Sequence, residues 1–222
     1  MNNVLIIAPH MDDEVLGCGG AIAKHVAYGD KVSVIIIAHR AYLHSFNPNL
    51  NDREKTHALK AKKLLGYHDL IFLDLPDERL DAALQEIIIP MEKYLFKIKP
   101  GTVYIPFEGD NNQDHRAVFN AVRVVLRPSV SPFLDNIYMY EVPSSTDQSP
   151  PTLNSVFLPN FYIDIKPFMK KKLKAIGCYK TEMRKYPHPR SQEALKVLAQ
   201  KRGIEIGFEC AEAFMSLRGK WR

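Results

Sequence analysis

The chain has 222 residues, of which 46% are hydrophobic and 25% charged, so it can bury the core of one α/β domain and is not disordered, collagen-like or coiled-coil. Lys and Arg total 30, and Asp and Glu total 25, which gives a net charge of +5. This modest excess is compatible with an anionic small-molecule ligand but does not by itself indicate nucleic-acid binding. No apolar run approaches the roughly 18 to 20 residues that cross a bilayer, so we expect neither a membrane span nor a secretory signal.

Short apolar runs alternate with helical patterns through the first 128 residues. The predicted strands are Val4 to Ala8, Val32 to Ala38, Leu70 to Leu73 and Val103 to Pro106. The predicted helices are Gly17 to Tyr28, Asp52 to Leu65, Leu80 to Ile98 with a bend at Pro90, and Gln113 to Leu126. Because helices alternate with strands that are apolar on both faces, we predict an α/β fold with a doubly wound, mostly parallel sheet.

The pattern changes after Pro128. Two further strands are predicted at Asn136 to Val142 and Phe161 to Ile165, with a Ser-, Thr- and Pro-rich loop between them from Pro143 to Pro159. The predicted helices that follow are Lys166 to Tyr179, Gln192 to Arg202 and Glu209 to Leu217. We interpret residues 1–222 as a single domain, with a core over 1–128 and a C-terminal extension over 129–222.

Cysteine and lysine usage add two expectations. The three cysteines, Cys18, Cys178 and Cys210, are far apart and lack CxxC spacing, which predicts neither a disulfide framework nor a cysteine zinc site and favours a cytoplasmic location. The stretch Lys166 to Lys174 carries five lysines. It could contact nucleic acid or a membrane surface, but a solvated helix face is the interpretation we favour.

The first strand runs directly into a group of polar side chains. His10, Asp12 and Asp13 follow it, and the glycine-rich stretch Gly17 to Gly20 allows close backbone approach. Ligands bind beyond the carboxyl ends of strands in open α/β sheets, and buried charges need partners. His10 and Asp13 are therefore candidate metal ligands, with Asp12 unbound beside them. The alternative is that the acids only favour a helix N-terminus electrostatically.

A second polar group, Asp110 to His115, follows the strand that ends near Pro106. His115 is the natural third ligand, which would complete a set of two histidines and one carboxylate with room for water and substrate. Asp114 would orient an imidazole from outside the ligand set. An Asp-His pair alone is more often a surface or core feature, but two such groups at two strand ends support each other.

These motifs resemble those of a known family. APHMDDEVLGCGG at 8–20 and NQDH at 112–115 are similar to the two signatures of the PIG-L, or LmbE-like, de-N-acetylases. Further similarity covers Arg53 and Glu54, LPDERL at 75–80, YEVPSST at 140–146, and FLPN, YPHPRS, RG and AEAF nearer the end. The resemblance implies a Rossmann-like fold and zinc-dependent removal of an N-acetyl group from a glucosamine-type sugar. The C-terminal motifs resemble a branch associated with surface polysaccharides and nucleotide-linked sugars.

The resemblance also implies roles for residues. By motif position, His10, Asp13 and His115 would bind Zn²⁺, with Fe²⁺ or another divalent metal as the alternative, and Asp12 would be the general base. The family's second motif often reads HxDH, whereas this chain has Asn112, which can donate a hydrogen bond to an oxyanion but cannot shuttle a proton.

Several residues are candidates for the remaining tasks. His188 is a candidate general acid in place of the missing histidine, although a turn histidine between two prolines is an equal alternative. Arg53 resembles the family's substrate-site arginine, Asp77 and Arg190 are further substrate-binding candidates, and Arg53 could instead be an ion-pair partner. The C-terminal extension is expected to cover the pocket. The expected partner is a small N-acetylated sugar or sugar conjugate, and a homo-oligomer is compatible with the sequence.

Two other functions remain open at this point. The first is a non-catalytic module that binds a carbohydrate or sugar nucleotide on the same fold. The second is a non-haem Fe(II) oxygenase, because two histidines and one carboxylate also suit that metal. A spare carboxylate at Asp12 favours hydrolysis over mere binding, and the strand-alternating layout disfavours the oxygenase.

Overall fold

A computed structural model of the chain describes residues 2–220. Its strands are β1 (Asn3–Ala8), β2 (Lys31–Ala38), β3 (Ala41–Tyr42), β4 (Ser45–Phe46), β5 (Asp69–Leu75), β6 (Thr102–Pro106), β7 (Asn136–Tyr140), β8 (Phe161–Asp164) and β9 (Ala211–Arg218). Its helices are α1 (Asp13–Ala27), α2 (Pro48–Leu65), α3 (Leu84–Ile98), α4 (Gln113–Val125), α5 (Met169–Ile176) and α6 (Gln192–Ile204), with short 3-10 turns at Leu80–Ala82, Thr146–Gln148 and Lys166–Phe168.

Seven strands form one sheet in the order β5-β2-β1-β6-β7-β9-β8. The five strands from β5 to β7 pair in parallel, while β9 pairs antiparallel with both β7 and β8. The chain first builds outward from β1 through β2 to β5 and then returns to the other side of β1 with β6. This reversal places a topological switch point between β1 and β6, where ligands bind in this class of fold. The predicted fold class is confirmed.

Each face of the sheet carries its own hydrophobic core. Along β1, Val4 and Ile6 face the core under α1, α2, α5 and α6, while Leu5 and Ile7 face the core under α3 and α4. All four side chains are fully buried. A strand that is apolar on both faces is what a central parallel strand requires, which explains why its sequence shows no alternation.

The local signals at helix ends account for two helices. Helix α2 begins four residues earlier than predicted, because Asn47 caps it by accepting from the Leu50 N–H and Pro48 occupies its first turn. It ends at Gly66, which has a left-handed φ of 84°. Helix α1 also begins earlier than predicted, at Asp13, so the glycines lie inside the helix. A Cβ on Gly17 would lie 2.2 Å from the Tyr140 ring, so this glycine serves close packing of α1 against β7.

One predicted element is wrong. The sequence pattern predicts a helix from Glu209 to Leu217, but Ala211–Arg218 is strand β9, between β7 and β8. Ala, Glu, Met and Leu favour helices locally, and the two neighbouring strand edges outweigh that preference by pairing with the backbone on both sides.

Only part of the lysine-rich stretch Lys166 to Lys174 forms a solvent-exposed helix face. Within it, Lys172 is 5% exposed, whereas Lys170 on the same helix is exposed. Lys172 donates from Nζ to Glu212 Oε1 at 2.6 Å and to the Leu16 carbonyl at 2.7 Å, so it joins α5, β9 and α1.

Between residues 2 and 220, none of the helices combines the length and the apolar character needed to cross a membrane.

Candidate metal and catalytic site

The connections after β1 and β6 bring three predicted ligands together at the switch point. The Asp13 Oδ2 atom lies 3.3 Å from His10 Nδ1 and 3.2 Å from His115 Nε2. The side chains of His10, Asp13 and His115 are all buried, and each offers one ligand atom within 4.8 Å of the others. His10 and His115 are 105 positions apart in the sequence, and they lie close together because each follows one of two adjacent parallel strands, β1 and β6.

The second nitrogen of each imidazole faces a carboxylate. His10 Nε2 lies 3.0 Å from Asp77 Oδ1 and 3.2 Å from Asp114 Oδ2, and His115 Nδ1 lies 3.3 Å from Asp110 Oδ2. Histidines that bind metals usually direct their other nitrogen to a carboxylate or carbonyl, which fixes the ring. The imidazole that Asp114 would orient is therefore that of His10.

The residues present fit a divalent metal. Two imidazole nitrogens and one carboxylate oxygen are the donor set of catalytic zinc sites. Asp13 Oδ1 is buried without a hydrogen-bond partner among the described residues, which is costly unless a cation compensates it.

A second grouping of possible ligands is made up of His10, Asp77 and Asp114. It fits a metal less well, because both oxygens of Asp114 already accept backbone N–H groups, at 2.7 and 3.2 Å. Asp13 also accepts a backbone N–H, that of His10 at 2.9 Å, but only through Oδ2, so its Oδ1 stays available.

The electrostatics of the ligand set also favour a cation. Burial lowers the pKa of His115, but Asp13 and Asp110 outweigh it and raise the pKa to about 9. Burial also lowers the pKa of His10. Hydrogen bonds to Asp114, Asp13 and Asp77 outweigh that effect, and the pKa of His10 is raised well above its usual value. The same carboxylates would attract a metal ion.

Asp12 lies beside this set and is only 1% exposed. Its backbone has a φ of 120°, an unusual conformation for a residue other than glycine, of the kind that concentrates at functional sites. Its Oδ2 accepts a hydrogen bond from Arg190 Nη1 at 2.9 Å. Burial raises the pKa of Asp12 to about 7, against the lowering effect of Arg190. A carboxylate with a pKa near neutrality suits a general base.

A cavity of about 580 Å³ opens onto these residues, which is within the usual size range of small-molecule sites. Its lining is predominantly polar and comprises His10, Asp12, Arg40, Ala41, His44, Asp77, Glu78, Asn111, Asn112, Gln113, Asp114, Arg116 and Arg190. Asn112 caps α4 through its side-chain oxygen, which accepts from the Asp114 N–H at 2.8 Å. Its amide NH₂ therefore remains the group that can donate into the cavity.

Charged residues that the sequence analysis missed extend the site. Glu182 is buried between two arginines, with Oε1 3.0 Å from Arg40 Nη2 and Oε2 2.7 Å from Arg190 Nη1. A chain of alternating charges thus runs from Arg40 to Asp12. Arg40 could have been found from its position two residues after the end of β2, whereas no local signal marks Glu182.

Of the predicted substrate-binding residues, Asp77 and Arg190 line the cavity. Arg53 is not among the described lining residues; its Nε lies 3.6 Å from Glu54 Oε1, and about half of its side chain is exposed. That position agrees with the ion-pair alternative for Arg53. At the cavity wall, Arg40 supplies a guanidinium group instead.

His188 is likewise absent from the cavity lining within residues 2–220. Its Nδ1 accepts the backbone N–H of Arg190 at 3.1 Å, which shapes the turn that carries Arg190. We therefore expect His188→Asn, which keeps an acceptor, to lose less than the roughly 10²-fold in kcat that removal of a general acid typically costs. Steady-state rates of product release from the purified variant check this, and a loss above that level would assign the acid role to His188.

The chain is similar in sequence to known proteins. A sequence model of the PIG-L family, described as GlcNAc-PI de-N-acetylase, matches residues 5–126. A protein of Escherichia coli K12 named uncharacterized deacetylase YaiS is 29% identical over 147 residues, which cover 64% of this chain and 75% of YaiS.

Two solved structures show the same fold. N,N'-diacetylchitobiose deacetylase from Pyrococcus horikoshii has a TM-score of 0.77 at 23% identity, covering 98% of this chain and 84% of that one. GalB, the 4-carboxy-2-hydroxymuconate hydratase of Pseudomonas putida KT2440, has a TM-score of 0.78 at 20% identity, covering 100% and 98%. Because the fold carries both a deacetylase and a hydratase, it does not by itself decide the reaction. The family model, which matches more than half of the chain and spans both motifs, shows that this protein belongs to the PIG-L family of de-N-acetylases.

Proposed function

We propose that this protein is a metal-dependent hydrolase that removes the N-acetyl group from a GlcNAc-type sugar or sugar conjugate. One observation carries the proposal: of a buried set of two histidines and one aspartate, His10 lines a polar cavity, and the additional carboxylate of Asp12 lines the same cavity. A binding module needs no such carboxylate, whereas hydrolysis of an amide needs a general base. Family membership supports the same reaction class.

The protein's own residues supply the proton transfers. A divalent metal held by His10, Asp13 and His115 would act as a Lewis acid and make water a stronger acid. Asp12 takes a proton from the attacking water while the water oxygen bonds to the acetyl carbonyl carbon. When the C–N bond breaks, that proton passes to the departing nitrogen, and acetate and a free amine are released.

Other cavity residues bind and orient the substrate. The Asn112 amide, which lines the cavity, would donate to the oxygen on which negative charge develops. The guanidinium groups of Arg40 and Arg190 lie at the wall and can meet sugar hydroxyls or an attached anionic group. The predominantly polar lining suits a polyhydroxylated substrate. Zn²⁺ is the metal we propose, and the substrate is a sugar of surface-polysaccharide or sugar-nucleotide metabolism.

The test combines metal analysis with acetate release across a panel of N-acetyl sugars and nucleotide sugars. We expect one divalent metal ion per chain after zinc repletion, and acetate from at least one N-acetylglucosamine derivative. His115→Ala should lose metal and activity, because one of three ligands is removed, while His188→Asn serves as a matched control outside the cavity. Absence of metal in the parent, or undiminished metal in folded His115→Ala, would contradict the proposal. Sugar binding without acetate release would favour the binding module instead.

A further inference from the structure

The carboxylate of Asp110 lies buried between the loop that carries His115 and the segment that follows β7. Asp110 is 1% exposed. Its Oδ1 accepts from the Asn112 N–H at 2.8 Å and from the Ser145 hydroxyl, and its Oδ2 accepts from Thr146 Oγ1 at 2.5 Å. A backbone N–H can only donate, and both hydroxyls are placed as donors, so this carboxylate is held in one orientation by neighbours that leave it negatively charged.

The same Oδ2 atom faces Nδ1 of His115 at 3.3 Å. Among the described residues, that buried nitrogen makes no regular hydrogen bond, and Asp110 is the carboxylate directed at it. The opposite nitrogen, Nε2, points to Asp13 and into the candidate ligand set. A neutral imidazole can offer a lone pair from Nε2 only when Nδ1 carries the hydrogen.

We propose that Asp110 is a positioning residue that fixes the tautomer and ring orientation of His115 for metal binding. This inference rests on the proposed function, because it requires His115 to be a metal ligand. A carboxylate locked by three donors can accept the Nδ1 hydrogen of His115 and cannot donate to it, so Nε2 is left with its lone pair toward Asp13. Ser145 and Thr146 take part indirectly, since they hold the carboxylate in place.

The competing explanation is that Asp110 only ties two loops together. It predicts that replacing Asp110 lowers stability and leaves metal affinity unchanged. The two explanations therefore differ in the dissociation constant for the metal, which a loop tie would not alter.

The first test is Asp110→Asn, which keeps the shape of the side chain but removes its charge. Zn²⁺ alone is the probe, titrated in competition with a chromophoric chelator, and the parent and variant are compared. We expect affinity to fall about 10- to 100-fold, the usual effect of removing a carboxylate that orients a metal-binding histidine. Asp52→Asn is the matched control: it makes the same chemical change at an exposed position outside the described cavity lining, so its zinc affinity should equal that of the parent.

The second test needs no variant that might fail to fold. In zinc-loaded parent protein with ¹⁵N-labelled histidine, we expect NMR to show a hydrogen on Nδ1 of His115 that exchanges slowly with water. Asp110→Asn with parental zinc affinity, or a His115 Nδ1 hydrogen that exchanges rapidly with water, would overturn the inference while leaving the proposed function standing. A parent protein that binds no Zn²⁺ would instead overturn both.

Discussion

Asp12→Asn is expected to retain the fold and the metal while losing about 10²- to 10⁴-fold in the rate of acetate release, the usual contribution of a general base. The amide has nearly the same shape as the carboxylate but cannot accept a proton from water. Asn also tolerates the left-handed backbone region that residue 12 approaches. The measurements are kcat for acetate release and metal content on the same preparation.

Asp12→Asn should also lower the free energy of unfolding slightly, because the Asp12 carboxylate is buried and paired with Arg190. The amide oxygen of Asn can still accept from Arg190, whose charge stays paired with Glu182. We therefore expect a loss in the free energy of unfolding below about 2 kcal/mol, in the range of a weakened hydrogen bond to a charged group.

Asp13→Asn is the matched control for Asp12→Asn. It makes the same chemical change one residue along the chain, where the carboxylate faces both candidate histidine ligands. Metal binding itself should weaken, because a neutral ligand replaces an anionic one. Near-full activity of metal-loaded Asp12→Asn would show that Asp12 is not the base.

Lys172→Met is expected to lower the free energy of unfolding by about 3 to 5 kcal/mol, the cost of leaving a buried charge without its partner. Glu212 is 5% exposed and, among the residues that the structure describes, would keep only the N–H groups of Gly20 and Ala21, each at 2.7 Å. The Leu16 carbonyl would also lose the Lys172 donor. Chemical denaturation of the metal-free protein measures the change.

Two further variants make this measurement specific. Lys170→Met removes an exposed lysine from the same helix and should change stability by no more than about 0.5 kcal/mol. Adding Glu212→Gln to Lys172→Met removes the unpaired charge and should recover part of the loss, which a double-mutant cycle quantifies. Equal effects of Lys172→Met and Lys170→Met would contradict the structural role assigned to the buried pair.

The sequence alone determined the elements whose signals are local. The bounds of β1 and β2 and the end of α2 at Gly66 agree with the predictions to within one residue. Burial on both faces of a strand requires a continuous apolar run, and a left-handed helix end favours glycine, so both features can be read directly from the sequence. It also determined that the polar groups after β1 and β6 would lie at one edge of the sheet, since parallel strands end on the same side. The family followed from those two motifs.

Only the tertiary structure decided which distant segments meet. Strand β9 is a strand because β7 and β8 lie on either side of it, despite a helix-favouring sequence. Arg190 reaches Asp12 across 178 positions, and Lys172 reaches Glu212 across 40. The reason is that the sequence around a charged residue does not indicate which residue it will pair with. Local sequence determines the secondary structure of each element, whereas the packing of whole elements determines the partner of a buried charge.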